Sequence, residues 1–460
     1  MQRRCSLAAA LALTAVCMTE AAARDAAAFI AAAERAAAEA AAPPVCPEAR
    51  VDAGGRVQAH PVVDGIPGTA AGTTGGLGRR LLLVTDPEDV PGAARRAGTL
   101  RWAVDTARWE GGAWIAFSPA LRTAEIRLSA GLRIPSDTTL DGGCGTTLRA
   151  PAAVNAVVVS DASNVIVTGL RFVKDPYSEP EDRIGDAVGL AGAFDRVAVL
   201  HNHFSRCGDG CVDVVRREAL PIPGRVTVAF NRFETHNKVM LVGALVCTAA
   251  RQAAGCDQPL EDLAGAFRPS IRVTVMGNVF LRTSQRHPKA VATAFVHSVN
   301  NLFVLAPTTY SNGRMSAVYG GSAASGGLIA SEGDIFVNLD ARPRIGVGPV
   351  SAQRESEGGE ADGAVAVRGA ATVGPVRVLE HMPLLAWQEL SAQPAPVARD
   401  ALGDPTALAA CLLRHAGPAG SGLPWSRACD ATQNGVQRAH RSGITRNQDQ
   451  SPRAEAGSRP

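Results

Sequence analysis

The chain has 460 residues, of which 19% are charged and only 4% aromatic, while Gly (47) and Pro (29) are frequent. This length allows one elongated domain or two or three compact ones, and the composition favours a turn-rich β protein over a long-helix bundle. The formal net charge of +3 permits an anionic ligand. We find no basic patch of the kind that binds nucleic acid, and we expect a monomer.

Lysine is rare in this chain. Only three of the 46 basic residues are lysines, namely Lys174, Lys238 and Lys289. Arginine is therefore the default cation, and a lysine where an arginine would serve indicates that a compact ammonium is wanted.

The N-terminus is typical of an export signal. Arg3 and Arg4 are followed by an apolar run from Leu7 to Met18 and by small residues at 21–23. We expect residues 1–23 to be a signal peptide and the protein to be secreted, either extracellular or periplasmic. No later segment has the ~18 uninterrupted apolar residues of a membrane helix.

Eight cysteines follow the predicted signal, an even number that suits disulfides in an oxidising compartment. We predict the pairs Cys247–Cys256 and Cys411–Cys429. Cys207 and Cys211 either pair or simply pack, and their spacing has no second half elsewhere that would indicate a zinc site.

The first part of the chain changes from helix to strand. Residues 24–49 form an alanine-rich arm, predicted to be helical up to Pro43-Pro44. Glycine-rich residues 50–78 suggest a turn that opens a sheet, and LLLVTD at 81–86 predicts a strand. Residues 98–109 predict an amphipathic helix that begins at Thr99 as N-cap. Strands and turns follow at 114–117 and 126–143.

A repeat then appears, in which short β-like runs end in phenylalanine. The six phenylalanines are Phe172, Phe204, Phe233, Phe280, Phe303 and Phe336. An Asn or Asp stands two places before the last five: Asn202, Asn231, Asn278, Asn301 and Asp334. Short strands at irregular intervals, each ending in the same turn, favour a parallel β-helix with internal phenylalanine stacks and an asparagine ladder. The alternative is an antiparallel sandwich, for which we would expect more two-residue hairpin turns.

We therefore predict an all-β fold, a right-handed parallel β-helix over residues 50–400 with an N-terminal capping helix. Residues 401–430 are predicted to form a C-terminal packing segment. Residues 431–460 are polar and without periodicity, and we expect a disordered tail.

The stretch from residue 186 to residue 288 carries the candidate chemistry. Asp186, Asp209 and Asp213 occur on consecutive predicted coils, so their carboxylates are able to meet around a Ca²⁺ ion, which prefers oxygen ligands. The alternative is three solvated turn aspartates. Lys238 and Arg286 follow, and both suit the carboxylates of a uronic acid polymer. In β-elimination on such a polymer, a base removes the C5 proton and a cation stabilises the enolate-like intermediate.

The ordered motifs resemble those of the pectate lyases of polysaccharide lyase family 1. The similarity begins at GTLRWAV (98–104) and LRIPSDTTLDG (132–142) and spans roughly residues 75–340. It continues through GDAVGL (185–190), DRVAVLHNHFSRCGDGCVD (195–213), THNKVMLVG (235–243), QRHP (285–288) and FVHSVNNLF (295–303).

The resemblance implies a calcium-dependent lyase that cleaves de-esterified polygalacturonate by β-elimination to 4,5-unsaturated oligogalacturonides. By resemblance Asp186, Asp209 and Asp213 would be the calcium ligands, Lys238 would bind the substrate carboxylate, and Arg286 would be the base. Within the same resemblance, His201 is expected to be a structural, hydrogen-bonded side chain.

One departure stands out: Val291 replaces the family's second substrate-binding arginine. Lys289 is the candidate replacement, although neighbouring side chains on a strand point to opposite faces. Two alternatives therefore stay open. One is a pectin lyase or other uronate polysaccharide lyase; the other is a non-catalytic β-helical carbohydrate-binding protein.

Overall fold

A computed structural model gives the structure of the chain. It describes residues 2–39, 47–92, 96–175, 185–216, 223–244, 269–291, 294–306, 319–324, 326–350, 362–391 and 404–418. The predicted pair Cys247–Cys256, Cys429 and the predicted tail at 431–460 lie outside these ranges.

Three parallel sheets form the body of the protein, and the chain passes from one to the next as it coils. The first sheet contains Leu81–Val84, Trp114–Phe117, Thr138–Pro151, Ser163–Asp175, Asp195–Leu200, Gly224–Ala229, Ile271–Met276, Ala294–Val299, Leu328–Glu332 and Ala364–Arg368. The second contains Glu125–Arg127, His203–Ser205, Arg232–Lys238, Val279–Gln285, Leu302–Leu305, Ile335–Asn338 and Ala371–Val373. The two long strands Thr138–Pro151 and Ser163–Asp175 run through the bend and belong to both sheets.

The third sheet has nine strands, and it carries the candidate site. It consists of Leu132–Arg133, Val157–Ser160, Val188–Ala191, Val212–Arg216, Leu241–Ala244, Lys289–Ala290, Tyr319–Ala323, Arg344–Pro349 and Val376–Val378. Each strand pairs in parallel with the strand one coil away, so the fold is a right-handed parallel β-helix, as predicted. The sandwich alternative is wrong, because the one antiparallel pair of strands in the described ranges is Arg50–Val51 with Val57–Ala59.

The repeat in the sequence builds the interior of the coils. Rings of the six repeat phenylalanines stack one above the other, with centroids 4.7–5.0 Å apart. Valines in register, such as Val197, Val226 and Val273, line the same core and are fully buried. Stacking like residues on successive coils lets each side chain bury itself against its own copy, and this explains why the motif recurs.

The predicted asparagine ladder is confirmed at the bend between the first and second sheets. Asn231 Oδ1 accepts the Asn202 backbone N–H at 2.9 Å, and the Asn231 side-chain amide donates to Val199 O at 2.9 Å. Asn278 and Asn301 repeat this pattern one coil further on each time. Asp334 ends the row and accepts the Asn301 N–H at 2.8 Å. All these polar groups are buried, so the hydrogen bonds are what make the turn possible inside the core.

Helix α2 (Leu100–Glu110) closes the N-terminal end of the coils. Thr99 caps it by accepting the Trp102 N–H, and Gly111 ends it in a left-handed conformation. Its buried face consists of Leu100, Ala103, Val104 and Ala107. This confirms the predicted capping helix.

The alanine-rich arm has a packing role that the sequence did not reveal. It lies in helix α1 (Gln2–Glu39), and its residues Ala26, Phe29, Ile30 and Ala33 are buried. They pack against the outer side of the second sheet and against helix α4 (Pro405–His415). Helix α3 (Pro383–Ser391) covers the first sheet. No helix in the described ranges is long and apolar enough to cross a membrane.

Candidate active site

The three predicted aspartates lie along the third sheet on neighbouring coils. Asp186 lies two residues before the strand Val188–Ala191, and Asp213 lies in the next strand, in register with Gly189. Asp209 belongs to the turn that leads into that strand. The parallel pairing therefore brings Asp186 next to the 209–213 segment, although 23 or more residues separate them in sequence.

Asp186 and Asp213 converge on Gly210. The Gly210 N–H donates to Asp186 Oδ1 at 2.9 Å, and the Leu241 N–H donates to Asp213 Oδ1 at 2.9 Å. A Cβ at Gly210 would clash with Asp213 Oδ1 and would lie 3.0 Å from Asp186 Oδ1. Glycine at this position thus leaves a cradle with carboxylate oxygens from two coils.

The cradle concentrates negative charge in a poorly hydrated place. The pKa of Asp186 is raised to about 6, mainly by burial and in part by the charge of Asp209, against the lowering effect of the Gly210 N–H. Burial and the charge of Asp186 raise the pKa of Asp213 well above its usual range. Two carboxylates that resist ionisation side by side indicate a site where a cation would be bound favourably.

Asp209 is drawn towards a different partner. Its Oδ1 lies 3.1 Å from Lys238 Nζ, so these two predicted site residues form an ion pair. One calcium ion binds oxygens at about 2.3–2.6 Å, so its ligands lie within ~5 Å of one another. In the described ranges the only three metal-ligating side chains within 4.8 Å of one another are Cys207, Cys211 and His236. As placed, the three aspartates do not close on one point.

That cysteine–histidine group supports the turn that carries Asp209. Cys207 and Cys211 form a disulfide across this turn, which decides between the two readings of the sequence. The sulfurs are therefore not thiolates, and a zinc site is not formed. His236 Nε2 lies 2.9 Å from the Asp209 carbonyl oxygen, and burial lowers the pKa of His236 to about 4, which keeps the ring neutral. Cys144 and Cys411 are disulfide-bonded as well.

Arg286 precedes the strand Lys289–Ala290, two coils beyond Asp213. Its positive charge lowers the pKa values of Asp186 and Asp213. Arg286 has a positive φ of 60°, a conformation that it shares with Arg282 at 53° on the preceding strand. The bond between His287 and Pro288 is cis.

Lys289 lies on the same column of the third sheet as Asp213. Leu241 follows Asp213 on the next coil, and Lys289 pairs with Leu241 in register. Ala290 is fully buried, whereas Lys289 and Val291 on either side of it are partly exposed. The reservation about opposite faces therefore does not apply, because Lys289 and Val291 are two residues apart and share the outer face.

Two residues near the cluster had no predicted role there. Lys174 is 1% exposed, and its ammonium donates to backbone carbonyls next to Asp186. Burial lowers the pKa of Lys174 to about 8, against the opposing effect of Asp186 and Asp209. Asn155 Oδ1 accepts the Asp186 N–H at 2.8 Å. The signal for Lys174 was its rarity in an arginine-rich chain. His201, by contrast, is buried away from these residues, and burial lowers its pKa to about 4.

Comparison with curated proteins gives relatives of one kind. The chain is 31% identical over 287 residues to "Pectate lyase 1" of Cryptomeria japonica, covering 58% of the chain and 65% of the relative. It is 29% identical over 279 residues to "Probable pectate lyase 7" of Arabidopsis thaliana, covering 58% and 50%. A pectate lyase of Lilium longiflorum is 29% identical over 243 residues. The chain is therefore similar to pectate lyases over 50–58% of its length.

The chain spans about half the length of the first two curated relatives, and no protein-family model matches it. Among solved structures, it is similar to Jun a 1, the major allergen from cedar pollen, with 22% identity and a TM-score of 0.49 over 76% of the chain and 92% of the allergen. Pectate lyase Bsp165PelA from Bacillus sp. N165, in complex with trigalacturonate, shares 17% identity with a TM-score of 0.45 over 77% and 99%.

Proposed function

We propose that this protein is a secreted, calcium-dependent lyase that cleaves de-esterified polygalacturonate by β-elimination. The observation that carries the proposal is the convergence of the Asp186 and Asp213 carboxylates on Gly210, where the positive charge of Arg286 lowers the pKa values of both. Similarity to the named relatives supports it, because they are pectate lyases.

The donor set at the cradle fits a calcium ion. Asp186 and Asp213 offer carboxylate oxygens on two sides of Gly210, and their raised pKa values reflect negative charge that a divalent cation would stabilise. We propose Asp209 as the third ligand, for which its carboxylate has to leave Lys238. The ion would withdraw electron density from the substrate carboxylate and so acidify the C5 proton.

The basic residues would bind and position the substrate. Lys238, once separated from Asp209, presents an ammonium to a uronate carboxylate, and Lys289 offers a second one on the neighbouring coil. Coils of a parallel sheet are stacked about 4.8 Å apart. A polyuronate that runs along the stack therefore meets charged groups from successive coils.

Arg286 would act as the base. In its neutral form it takes the C5 proton, the electron pair forms the C4–C5 double bond, and the bond from C4 to the glycosidic oxygen breaks. The leaving oxygen then takes a proton from solvent. A free guanidinium loses its proton only above about pH 12, so we expect the rate to rise towards alkaline pH.

Secretion is part of the proposal. The charged and apolar N-terminus favours export, and the disulfide-bonded cysteines at 144, 207, 211 and 411 suit an oxidising compartment. The buried residues Ala26, Phe29, Ile30 and Ala33 of helix α1 follow the predicted signal, so they would remain after removal of residues 1–23.

The test is the ultraviolet absorbance of unsaturated product formed from polygalacturonate, with calcium and with chelator. We expect a calcium-dependent signal that Arg286→Ala abolishes. Arg282→Ala is the matched control, since Arg282 is an exposed arginine on the preceding strand with the same positive-φ backbone. If Arg286→Ala retained the wild-type rate, the assignment of the base would be overturned. A wild type that bound polygalacturonate without forming product would instead favour the non-catalytic alternative, which Val291 keeps open.

A further inference from the structure

Lys174 is a buried cation that the proposed reaction does not use. It ends the strand Ser163–Asp175, and only 1% of its surface is exposed. Burying an ammonium is costly unless it is compensated by hydrogen bonds or opposite charge. A lysine retained at such a place, in a chain that otherwise uses arginine, therefore indicates a specific local task.

The hydrogen bonds of Lys174 show what it holds. Its Nζ donates to Gly185 O at 2.7 Å, to Asp186 O at 3.3 Å and, at very short distance, to Val154 O. Val154 belongs to the preceding coil, and Gly185 and Asp186 belong to the coil of the acidic cluster. One ammonium thus joins the backbone of two coils at the residue that supplies the first carboxylate.

Other bonds complete the frame around Asp186. Its N–H donates to Asn155 Oδ1 at 2.8 Å, and its carbonyl oxygen also accepts the Ala156 N–H at 3.1 Å. Both partners are neighbours of Val154, so Lys174 and Asn155 fasten the same short segment to Asp186. With its backbone fixed in this way, the Asp186 carboxylate is left to accept the Gly210 N–H.

Lys174 and Lys238 act on the cluster in different ways. Lys238 binds a carboxylate oxygen of Asp209 directly, so it competes with a metal for that ligand. Lys174 donates only to backbone carbonyls and leaves the carboxylate oxygens of Asp186 available. The positive charge of Lys174 and the negative charges of Asp186 and Asp209 still stabilise one another.

We propose that Lys174 is a positioning residue of the acidic cluster, whose buried ammonium ties the Asp186 backbone to the preceding coil and fixes the Asp186 carboxylate for cation binding. Only the role of the Asp186 carboxylate in cation binding rests on the proposed function. The tie itself is a property of the metal-free protein.

The first measurement is amide hydrogen exchange of the metal-free protein, resolved by mass spectrometry over residues 185–190 and 209–213. In Lys174→Met, which keeps the length and loses the donors, we expect exchange in both segments to be faster by about tenfold or more, because buried hydrogen bonds are lost. Lys238→Met is the matched control, and we expect wild-type exchange at residues 185–190. Wild-type protection of that segment in Lys174→Met would overturn the proposal.

The second measurement is calcium binding by titration calorimetry. We expect the calcium Kd of Lys174→Met to rise about tenfold, whereas Lys238→Met, freed from competition for Asp209, binds as tightly as wild type or more tightly. A lower melting temperature of Lys174→Met with an unchanged Kd would mean a merely structural role and would overturn the role in cation binding. If wild type bound no calcium, the proposed metal site would fail, while hydrogen exchange would still decide the tie.

A second variant covers the case in which Lys174→Met does not fold. Lys174→Gln keeps N–H donors but is shorter and uncharged, so it reaches fewer of the three carbonyls. We expect changes in the same direction and of smaller size in both measurements. Wild-type exchange together with a wild-type Kd in Lys174→Gln would contradict the proposal.

Discussion

Removing one charge from the cradle should stabilise the metal-free protein and abolish its response to calcium. Burial raises the pKa of Asp186 from 3.8 to about 6. One pKa unit corresponds to about 1.4 kcal/mol. Above pH 6 the ionised carboxylate therefore destabilises the folded state, and it lowers the free energy of unfolding by roughly 3 kcal/mol. Asp186→Asn keeps the oxygen that accepts the Gly210 N–H and removes the charge. We therefore expect a gain of up to about 3 kcal/mol at pH 8 in chelator.

The pH dependence has a defined sign. The folded state holds the Asp186 proton more tightly than the unfolded state, so this contribution to stability is complete below about pH 4. It is lost as pH rises through about 6 and stays constant above that. Wild type in chelator should lose stability over this range, and Asp186→Asn should lose less.

The assay is urea unfolding monitored by circular dichroism at pH 4, 6 and 8, with chelator and with calcium. Calcium at about a hundred times its Kd should stabilise wild type by ~2.7 kcal/mol and leave Asp186→Asn nearly unchanged. Asp161→Asn is the matched control, because hydrogen bonds from the Ala193 N–H and the Ser160 hydroxyl lower the pKa of this exposed carboxyl. It should not gain stability. If Asp186→Asn were less stable than wild type in chelator at pH 8, the account of the cradle would be refuted.

Three further predictions concern the interior of the coils, the alanine-rich arm and the outer face of the third sheet. Phe233→Ala removes a fully buried ring whose stacked neighbours have centroids 5.0 and 4.9 Å away. It should lower the free energy of unfolding in urea by about 3–5 kcal/mol, and a loss below ~1 kcal/mol would contradict the packing. Ile30→Ala should lower the free energy of unfolding by about 2–4 kcal/mol, whereas Ala28→Ser on the exposed face of α1 should leave it almost unchanged. Equal effects of the two substitutions would mean that the arm is not packed. Val291→Arg should lower the KM for polygalacturonate about threefold or more with an unchanged calcium Kd, since it adds a cation beside Lys289; an unchanged KM would place the substrate elsewhere.

The fold could be predicted because its information is local. Each coil repeats one phenylalanine and one asparagine at a fixed spacing, and stacking makes each residue the environment of its own copy. The packing of helix α1 could not be predicted in this way. Two of its four buried residues are alanines, and all four meet a sheet and a helix from distant parts of the chain.

Part of the arrangement of the candidate site follows from the coils, and the roles of its residues stay predictions. Register between neighbouring coils places Asp213 beside Gly189, three residues after Asp186. The pairing of Asp209 with Lys238 was not foreseeable, because the sequence pattern assigns both residues to the same site but does not fix which oxygen each side chain contacts. The bonds of Lys174 depend on where carbonyl oxygens lie, which a side-chain pattern does not encode.

The asparagine ladder ends at an aspartate, Asp334. Every asparagine in it both accepts from one neighbour and donates to another, so such a row has no internal reason to stop. Asp334 has acceptors alone: one oxygen takes the Asn301 N–H and the other takes the hydroxyls of Ser298 and Ser331. Burial raises its pKa, and these donors oppose that effect. The row of side-chain amides thus ends at a carboxylate, which accepts hydrogen bonds from Asn301, Ser298 and Ser331 but has no side-chain N–H to donate to a backbone carbonyl.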